Sequence, residues 1–241
     1  MALSNLVAYD FIPRLKKGDR IASMGYPDII TPEPLLKKLI GELKYSMLTF
    51  RQDSARICKR HNIDYRLIPD ADSLFDLMGA KLDVFDIVEY RGGEILCDLN
   101  YPIPQKEQYD YVLDVGTAEH CFNIGQAIIN MAQLLKKDGT IFHSNPFVMG
   151  NHGFYGLNPT LFSDFYGQPG FRLDWLRLMI SGSNEVLDVP PVKRFQAPAA
   201  EVDIFAAATR TEVREITYPT QYKYVILAAA AKPGVKGVEN E

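Results

Sequence analysis

The sequence of 241 residues has only three cysteines, Cys58, Cys97 and Cys121, an odd number with no Cys-x-x-Cys pair. That pattern argues against a disulfide framework and a structural zinc site, and points to reduced thiols in a cytoplasmic setting. No apolar run approaches the roughly 18 residues that span a bilayer, so no membrane association is expected. The opening residues, Met1 to Asp10, lack the basic segment of a secretory signal. Neither sign of charge dominates: 26 Lys and Arg face 30 Asp and Glu, for a net charge of -4. A basic footprint for nucleic acid is therefore missing. The sequence also lacks a Gly-x-Gly-x-x-Gly loop, an internal repeat and a His-x-x-x-His pair among its four histidines. On that spacing no metal site is expected.

Apolar mass is plentiful, with 47% hydrophobic against 23% charged residues, enough for the core of one large domain. Ser4 or Asn5 caps an expected helix over 4–17, and Lys16-Lys-Gly-Asp turns into a strand from Arg20 that ends at Gly25. Thr31 is the expected cap of a helical region from about Pro34 to Lys59, with Gly41 as a candidate break. Residues 62–69 read as a short strand or extended segment, and Asp72 to Gly79 as a short helix closed by a left-handed glycine. Strands are expected over 82–87, 94–97, 109–115 and 140–143. A helix over 118–136 carries Ile124, Ala127, Ile128, Met131 and Leu135 on its apolar face. Another helix starts at Asn158. Residues 175–179, 202–209 and 222–229 are strand candidates, the last two as an antiparallel pair at the sheet edge.

This alternation predicts an α/β fold: a Rossmann-like, mostly parallel sheet with helices on both faces and an antiparallel strand at the C-terminal edge. A helical insertion follows the first strand. One domain over 1–231 is expected, with the insertion at 32–80, a loop and helix region at 147–200 and a flexible tail at 232–241.

Several strands end in acidic or small residues: Asp86-Ile-Val-Glu-Tyr-Arg-Gly, Asp98-Leu-Asn and Val115-Gly-Thr-Ala-Glu-His. Ligands of an open α/β sheet sit at these carboxyl ends. Carboxylates in a row there suit ribose hydroxyls, an exocyclic amine and a cationic centre, the combination found in S-adenosylmethionine. Tyr109-Asp-Tyr-Val-Leu-Asp-Val-Gly-Thr-Ala-Glu-His and Leu134-Leu-Lys-Lys-Asp-Gly-Thr-Ile resemble the corresponding segments of class I S-adenosylmethionine-dependent methyltransferases. The resemblance is best from Leu82 to Tyr166. His152-Gly-Phe-Tyr followed by Asn158-Pro-Thr-Leu-Phe is similar to a subgroup encoded with glycan or small-metabolite pathways. The first glycine motif is degenerate, since Ala22-Ser-Met-Gly-Tyr-Pro-Asp keeps only Gly25.

The resemblance implies S-adenosylmethionine as cofactor. It assigns Gly25 and Tyr26 to the first loop, and Asp86 to the ribose hydroxyls with Ile87 beside it; Asp83 or Glu89 are alternatives to Asp86. The distance from Gly25 to Asp86 exceeds the usual 20 or so residues, which is why an insertion is invoked. Asp98 and Leu99 would meet the adenine, although Asp98 could equally begin a turn. Gly116 and Thr117 would flank the sulfonium. Glu119, His120 and His152 are the candidate catalytic residues, His120 being the first choice of base and His152 the second. His61 reads as a solvated helix end and His143 as a pocket rim. Phe154, Tyr155 and Tyr166 are candidates for a water-excluding lid, while Phe162, Phe165 and Tyr166 read more simply as core.

The implied reaction is methyl transfer to an oxygen of a sugar, glycan precursor or specialised metabolite. The expected partner is that small-molecule acceptor, with a homodimer as a second expectation. Two other classes share the pattern: a catalytically inactive methyltransferase-like scaffold, and an NAD(P)-dependent oxidoreductase. The single glycine after the first strand favours the scaffold, and the missing Gly-x-Gly-x-x-Gly loop disfavours the oxidoreductase.

Overall fold

The hydroxyl of Ser4 accepts a hydrogen bond from the Val7 N–H at 3.3 Å and so caps α1 (Asn5–Phe11). The structure, a computed structural model, describes residues 2–181, 183, 185–189 and 194–230; the tail expected at 232–241 lies outside them. A 3-10 turn (Ile12–Arg14) leads from α1 to β1 (Arg20–Met24).

The helical region between the first two strands is broken more often than its sequence suggests. Gly41, at φ +87, ends α2 (Glu33–Ile40), and α3 (Glu42–Ser46) and α4 (Ser54–Arg60) follow as separate helices. Pro32 occupies the cap position expected of Thr31, whose hydroxyl is buried without a hydrogen-bond partner. Residues 62–69 form no strand: Asn62 turns at φ +49, and the segment makes only an isolated bridge between Phe50 and Pro69. Asp70, not Asp72, caps α5 (Ala71–Leu77) by accepting from the Ser73 N–H, and Gly79 follows at φ +79.

The chain continues through β2 (Lys81–Asp86), β3 (Ile95–Leu96) and β4 (Tyr109–Asp114). The single helix expected over 118–136 is divided. A 3-10 turn (Ala118–His120) comes first, Cys121 is extended, and Asn123 then caps α6 (Ile124–Leu134) by accepting from the Gln126 N–H. Lys136-Lys-Asp-Gly is a bulge inside β5 (Leu135–Val148), not a turn before it: the β4 register jumps from Leu135 to Thr140, and Asp138 adopts φ +66. The remaining elements are α7 (Pro159–Tyr166), β6 (Phe171–Ile180), β7 (Val186–Asp188), β8 (Val202–Arg210) and α8 (Tyr222–Ala230). The last is a helix where a strand was expected; its apolar run has no period to separate the two, and it ends in alanines, the strongest helix formers.

Among the described residues eight strands form one sheet in the order β3-β2-β1-β4-β5-β8-β6-β7. The first five run parallel, while β8 is antiparallel to both β5 and β6. Residues 202–209 thus pair with β5 and β6 rather than with 222–229, and β8 lies inside the sheet; the edge is the short β7, antiparallel to β6. This is an open, Rossmann-like α/β sheet. Successive residues of each strand face opposite layers: Ala22, Met24, Val112 and Ile141 join α6 and α7 on one side. Ile21, Leu113 and Phe142 join α1 and α5 on the other. Among the described residues no helix is long and apolar enough to cross a membrane.

Candidate functional site

From β1 the chain crosses to β2 on one side of the sheet, whereas β4 leads to β5 on the other. Such a reversal of winding opens a crevice at the carboxyl ends of the strands. A cavity of about 1030 Å³ occupies it. Gly25 and Gly116 end β1 and β4 with φ of +75 and +93, a backbone region in which a side chain is strained. The Thr117 hydroxyl donates to the Met24 carbonyl at 2.7 Å and holds the two strand ends together.

On the β2–β3 side, Asp86 and Ile87 line the cavity, and Asp98 and Leu99 stand on the next strand connection. One Asp86 oxygen accepts from the Ile87 N–H at 2.7 Å, which fixes the carboxylate in its loop. Asp98 accepts from the Asn100 N–H at 2.9 Å, the turn geometry weighed for it from sequence. Tyr26 does not line the cavity. Its hydroxyl bonds Asp72 at 3.2 Å, and the Arg91 guanidinium lies 3.8 Å from its ring centroid. Asp83 is likewise elsewhere, bonded to Arg20 and Tyr109, and Glu89 is not among the lining residues.

On the β4–β5 side, Glu119, His120 and His152 come together. Glu119 is fully buried, and one of its oxygens accepts from the Asn145 amide at 3.0 Å. The other oxygen has no hydrogen-bond partner. It faces His152 Nε2 at 3.5 Å and His120 Nε2 at 3.8 Å. Burial, reinforced by the Asp114 charge, pushes the Glu119 carboxyl up to about 7. Burial and the neighbouring His152 hold the His120 imidazole below its usual value. The sequence spacing gave no metal set, yet the ligand atoms of these three residues lie within 4.8 Å of one another.

The loop carrying His152 is built against Glu119. Phe154 N–H donates to the Glu119 carbonyl at 2.9 Å, and a Cβ on Gly153 would lie 2.8 Å from that same oxygen. Tyr155 donates to the Phe122 carbonyl at 2.8 Å. Phe154 and Tyr155 are exposed and do not line the cavity, and Tyr166 is buried in the core and is no part of a lid.

Beneath this group, His143 is buried, not at a rim: Nδ1 meets Asp114 at 2.7 Å and Nε2 meets the Tyr166 hydroxyl at 2.6 Å. Burial raises the Tyr166 hydroxyl well above its usual value, so it stays protonated and donates to Nε2. His143 Nδ1–H then donates to Asp114. The Asn145 amide spans Asp114 and Glu119, at 3.0 Å each.

No family model and no curated protein matches the sequence. The solved structures it is similar to include methyltransferases. One is the Burkholderia thailandensis 1,6-didemethyltoxoflavin-N1-methyltransferase with bound 1,6-didemethyltoxoflavin and S-adenosylhomocysteine. It is 13% identical, with a TM-score of 0.44 over 86% of this chain and 82% of its own. A SAM dependent methyltransferase from Aquifex aeolicus is 10% identical, with a TM-score of 0.41 over 81% and 85%. The trans-methyltransferase CalH, solved with S-adenosylhomocysteine, is 14% identical, with a TM-score of 0.44 over 83% and 54%.

Sequence reasoning missed several residues of this region. Asp114 reads as a strand position and Asn145 lies beyond the strand expected over 140–143; the pairing of β4 with β5 brings both beside Glu119. Asp203, on β8, lines the cavity and accepts from Ser181 at 2.8 Å; burial raises its carboxyl. His61 also lines the cavity, with Nε2 2.9 Å from the buried Asp28, rather than standing in solvent. A charged helix end gave no sign of that partner.

Proposed function

We propose that this chain transfers a methyl group from S-adenosylmethionine to an oxygen of a small molecule, in the class of sugars, glycan precursors or specialised metabolites. The observation that carries this reading is the convergence of Asp86, Asp98, Gly25 and Gly116 on one cavity at the carboxyl ends of the strands. The donor set fits the cofactor: two carboxylates on adjacent strand connections suit ribose hydroxyls and an amine, and two bare glycines admit a close backbone approach. When bound, S-adenosylmethionine supplies an electrophilic methyl carbon on a sulfonium.

The residues of this chain do the rest. Gly116 and Thr117 border the cavity between the two carboxylates and the Glu119–His120–His152 group, which suits an acceptor lined up with the methyl carbon. Alignment and exclusion of water account for most of the acceleration in such a displacement. Glu119, His120 and His152 relieve the acceptor of its proton. The oxygen assignment and acceptor class rest on the sequence resemblance around His152 to Phe162.

Calorimetry and thermal melts with S-adenosylhomocysteine, S-adenosylmethionine and NAD(H) test the reading. Asp86→Ala is expected to abolish adenosyl-ligand binding. His120→Ala is expected to keep that binding and lower turnover by about 10²–10⁴-fold. Silence toward both adenosyl ligands would overturn the assignment, and a response to NAD(H) alone would favour an oxidoreductase. A second reading, a non-catalytic scaffold with this fold, is favoured by Tyr26-Pro27 replacing the small residues of the first loop; binding without turnover on any acceptor would select it.

A further inference from the structure

We propose that Glu119, His120 and His152 hold a divalent cation of the zinc class at the acceptor end of the cavity. A carboxylate oxygen and two imidazole nitrogens form a familiar three-ligand set that leaves coordination positions open for water or substrate. In tetrahedral coordination with bonds of about 2.0–2.1 Å, neighbouring ligand atoms stand about 3.4 Å apart. The distances from Glu119 Oε1 to His152 and His120 Nε2, 3.5 and 3.8 Å, are close to that value.

The independent observation is the state of Glu119 Oε1. Glu119 has no solvent exposure, and this oxygen has no hydrogen-bond partner. A buried polar atom in that condition is costly unless something outside the described atoms satisfies it. Both imidazoles stand within ion-pair distance of this oxygen, but among the described residues neither ring makes a hydrogen bond to it. A cation at the common focus of the three atoms would satisfy all of them at once.

The surroundings are those of a supported ligand set. Asn145 holds the opposite Glu119 oxygen at 3.0 Å and so aims Oε1 toward the imidazoles. Gly153 and the Phe154 N–H press the His152 loop onto the Glu119 backbone. The two imidazoles, with ring centroids 5.4 Å apart, border the cavity, so the open coordination positions face an acceptor. With the cation bound, these three residues hold it instead of acting as bases, and an acceptor hydroxyl there would shed its proton to solvent at a lower pH than it does free in water. The role assigned to the cation rests on the proposed methyl transfer; its binding does not.

Cobalt(II) is a suitable probe, because its visible absorption reports coordination by nitrogen and oxygen ligands. The full chain, first stripped with a chelator, is expected to bind one equivalent. His120→Ala/His152→Ala and Glu119→Gln should each weaken uptake by about 100-fold or more, while Asp138→Asn on the exposed β5 bulge should leave it unchanged. Circular dichroism and S-adenosylhomocysteine calorimetry on the same samples check that each variant is folded. No uptake by the parent chain, or equal uptake by the folded double variant, would overturn the site. Cobalt binding without any adenosyl-ligand response would leave the cation site standing and remove the methyltransferase reading. The converse would remove the cation site alone.

Discussion

Gly153 shows how a single atom decides the geometry of the Glu119–His152 contact. A methyl group there would meet the Glu119 carbonyl oxygen at 2.8 Å and Glu119 Cγ at 3.0 Å, and neither backbone can retreat without breaking the Phe154–Glu119 hydrogen bond. Gly153→Ala is therefore expected to cost about 1–3 kcal/mol of stability and to move His152 away from Glu119. S-adenosylhomocysteine affinity should be unaffected while turnover falls, a split that calorimetry and kinetics on one sample would reveal. Asp28 makes the corresponding case for charge. Burial opposes ionisation of its carboxyl, but the His61 hydrogen bond and the Arg60 guanidinium outweigh it and hold the carboxyl below its usual range. A group lowered on folding stabilises fully above its unfolded value of about 4, and loses that contribution as the pH falls through the folded value. Asp28→Asn should cost about 2 kcal/mol near neutrality, with the gap from the parent closing in melts below about pH 4. A gap independent of pH would show that the carboxylate charge is not its source.

Among the elements, α6 links the core to the cavity wall. Asn130 is buried on this helix; its amide donates to the carbonyls of Leu99 and Tyr101 at 3.0 and 2.8 Å, and its oxygen accepts from the Ile103 N–H at 3.3 Å. Asn130→Ala would leave these backbone groups unmet, at a cost of about 3 kcal/mol, and should weaken S-adenosylhomocysteine binding by loosening the segment after Asp98. Unchanged affinity in a folded variant would detach that segment from the ligand. The strands with acidic ends were legible because a short apolar run closed by Asp or Gly has few other readings. Helix breaks were less so: Cys121 is extended for tertiary reasons, and α8 offered no period to distinguish it from a strand. Glu119 and His120 could be placed together because both follow β4 directly. The approach of His152 depends on Gly153 and on a backbone hydrogen bond, and no spacing encodes either. Tyr26 had the right place in the sequence, but its ring turns out to Arg91 and Asp72.

At the scale of the molecule, a ligand bound at the carboxyl ends of β1, β2 and β4 draws the parallel half of the sheet together. S-adenosylhomocysteine at 100 times its dissociation constant should add about 2.7 kcal/mol, or roughly 5–10 °C in Tm for a domain of this size. The antiparallel half has a different consequence, and it concerns synthesis. β8 lies between β5 and β6 although among the described residues it is the last strand made. On the ribosome, β5 therefore emerges with an open edge, and β6 appears with no neighbour except the three-residue β7. Until residues 202–210 arrive, the growing chain presents two unpaired strand edges, the kind of surface on which nascent proteins aggregate or recruit chaperones. The strand that joins the two halves of the native sheet also sets how long the newborn chain must be kept from its neighbours.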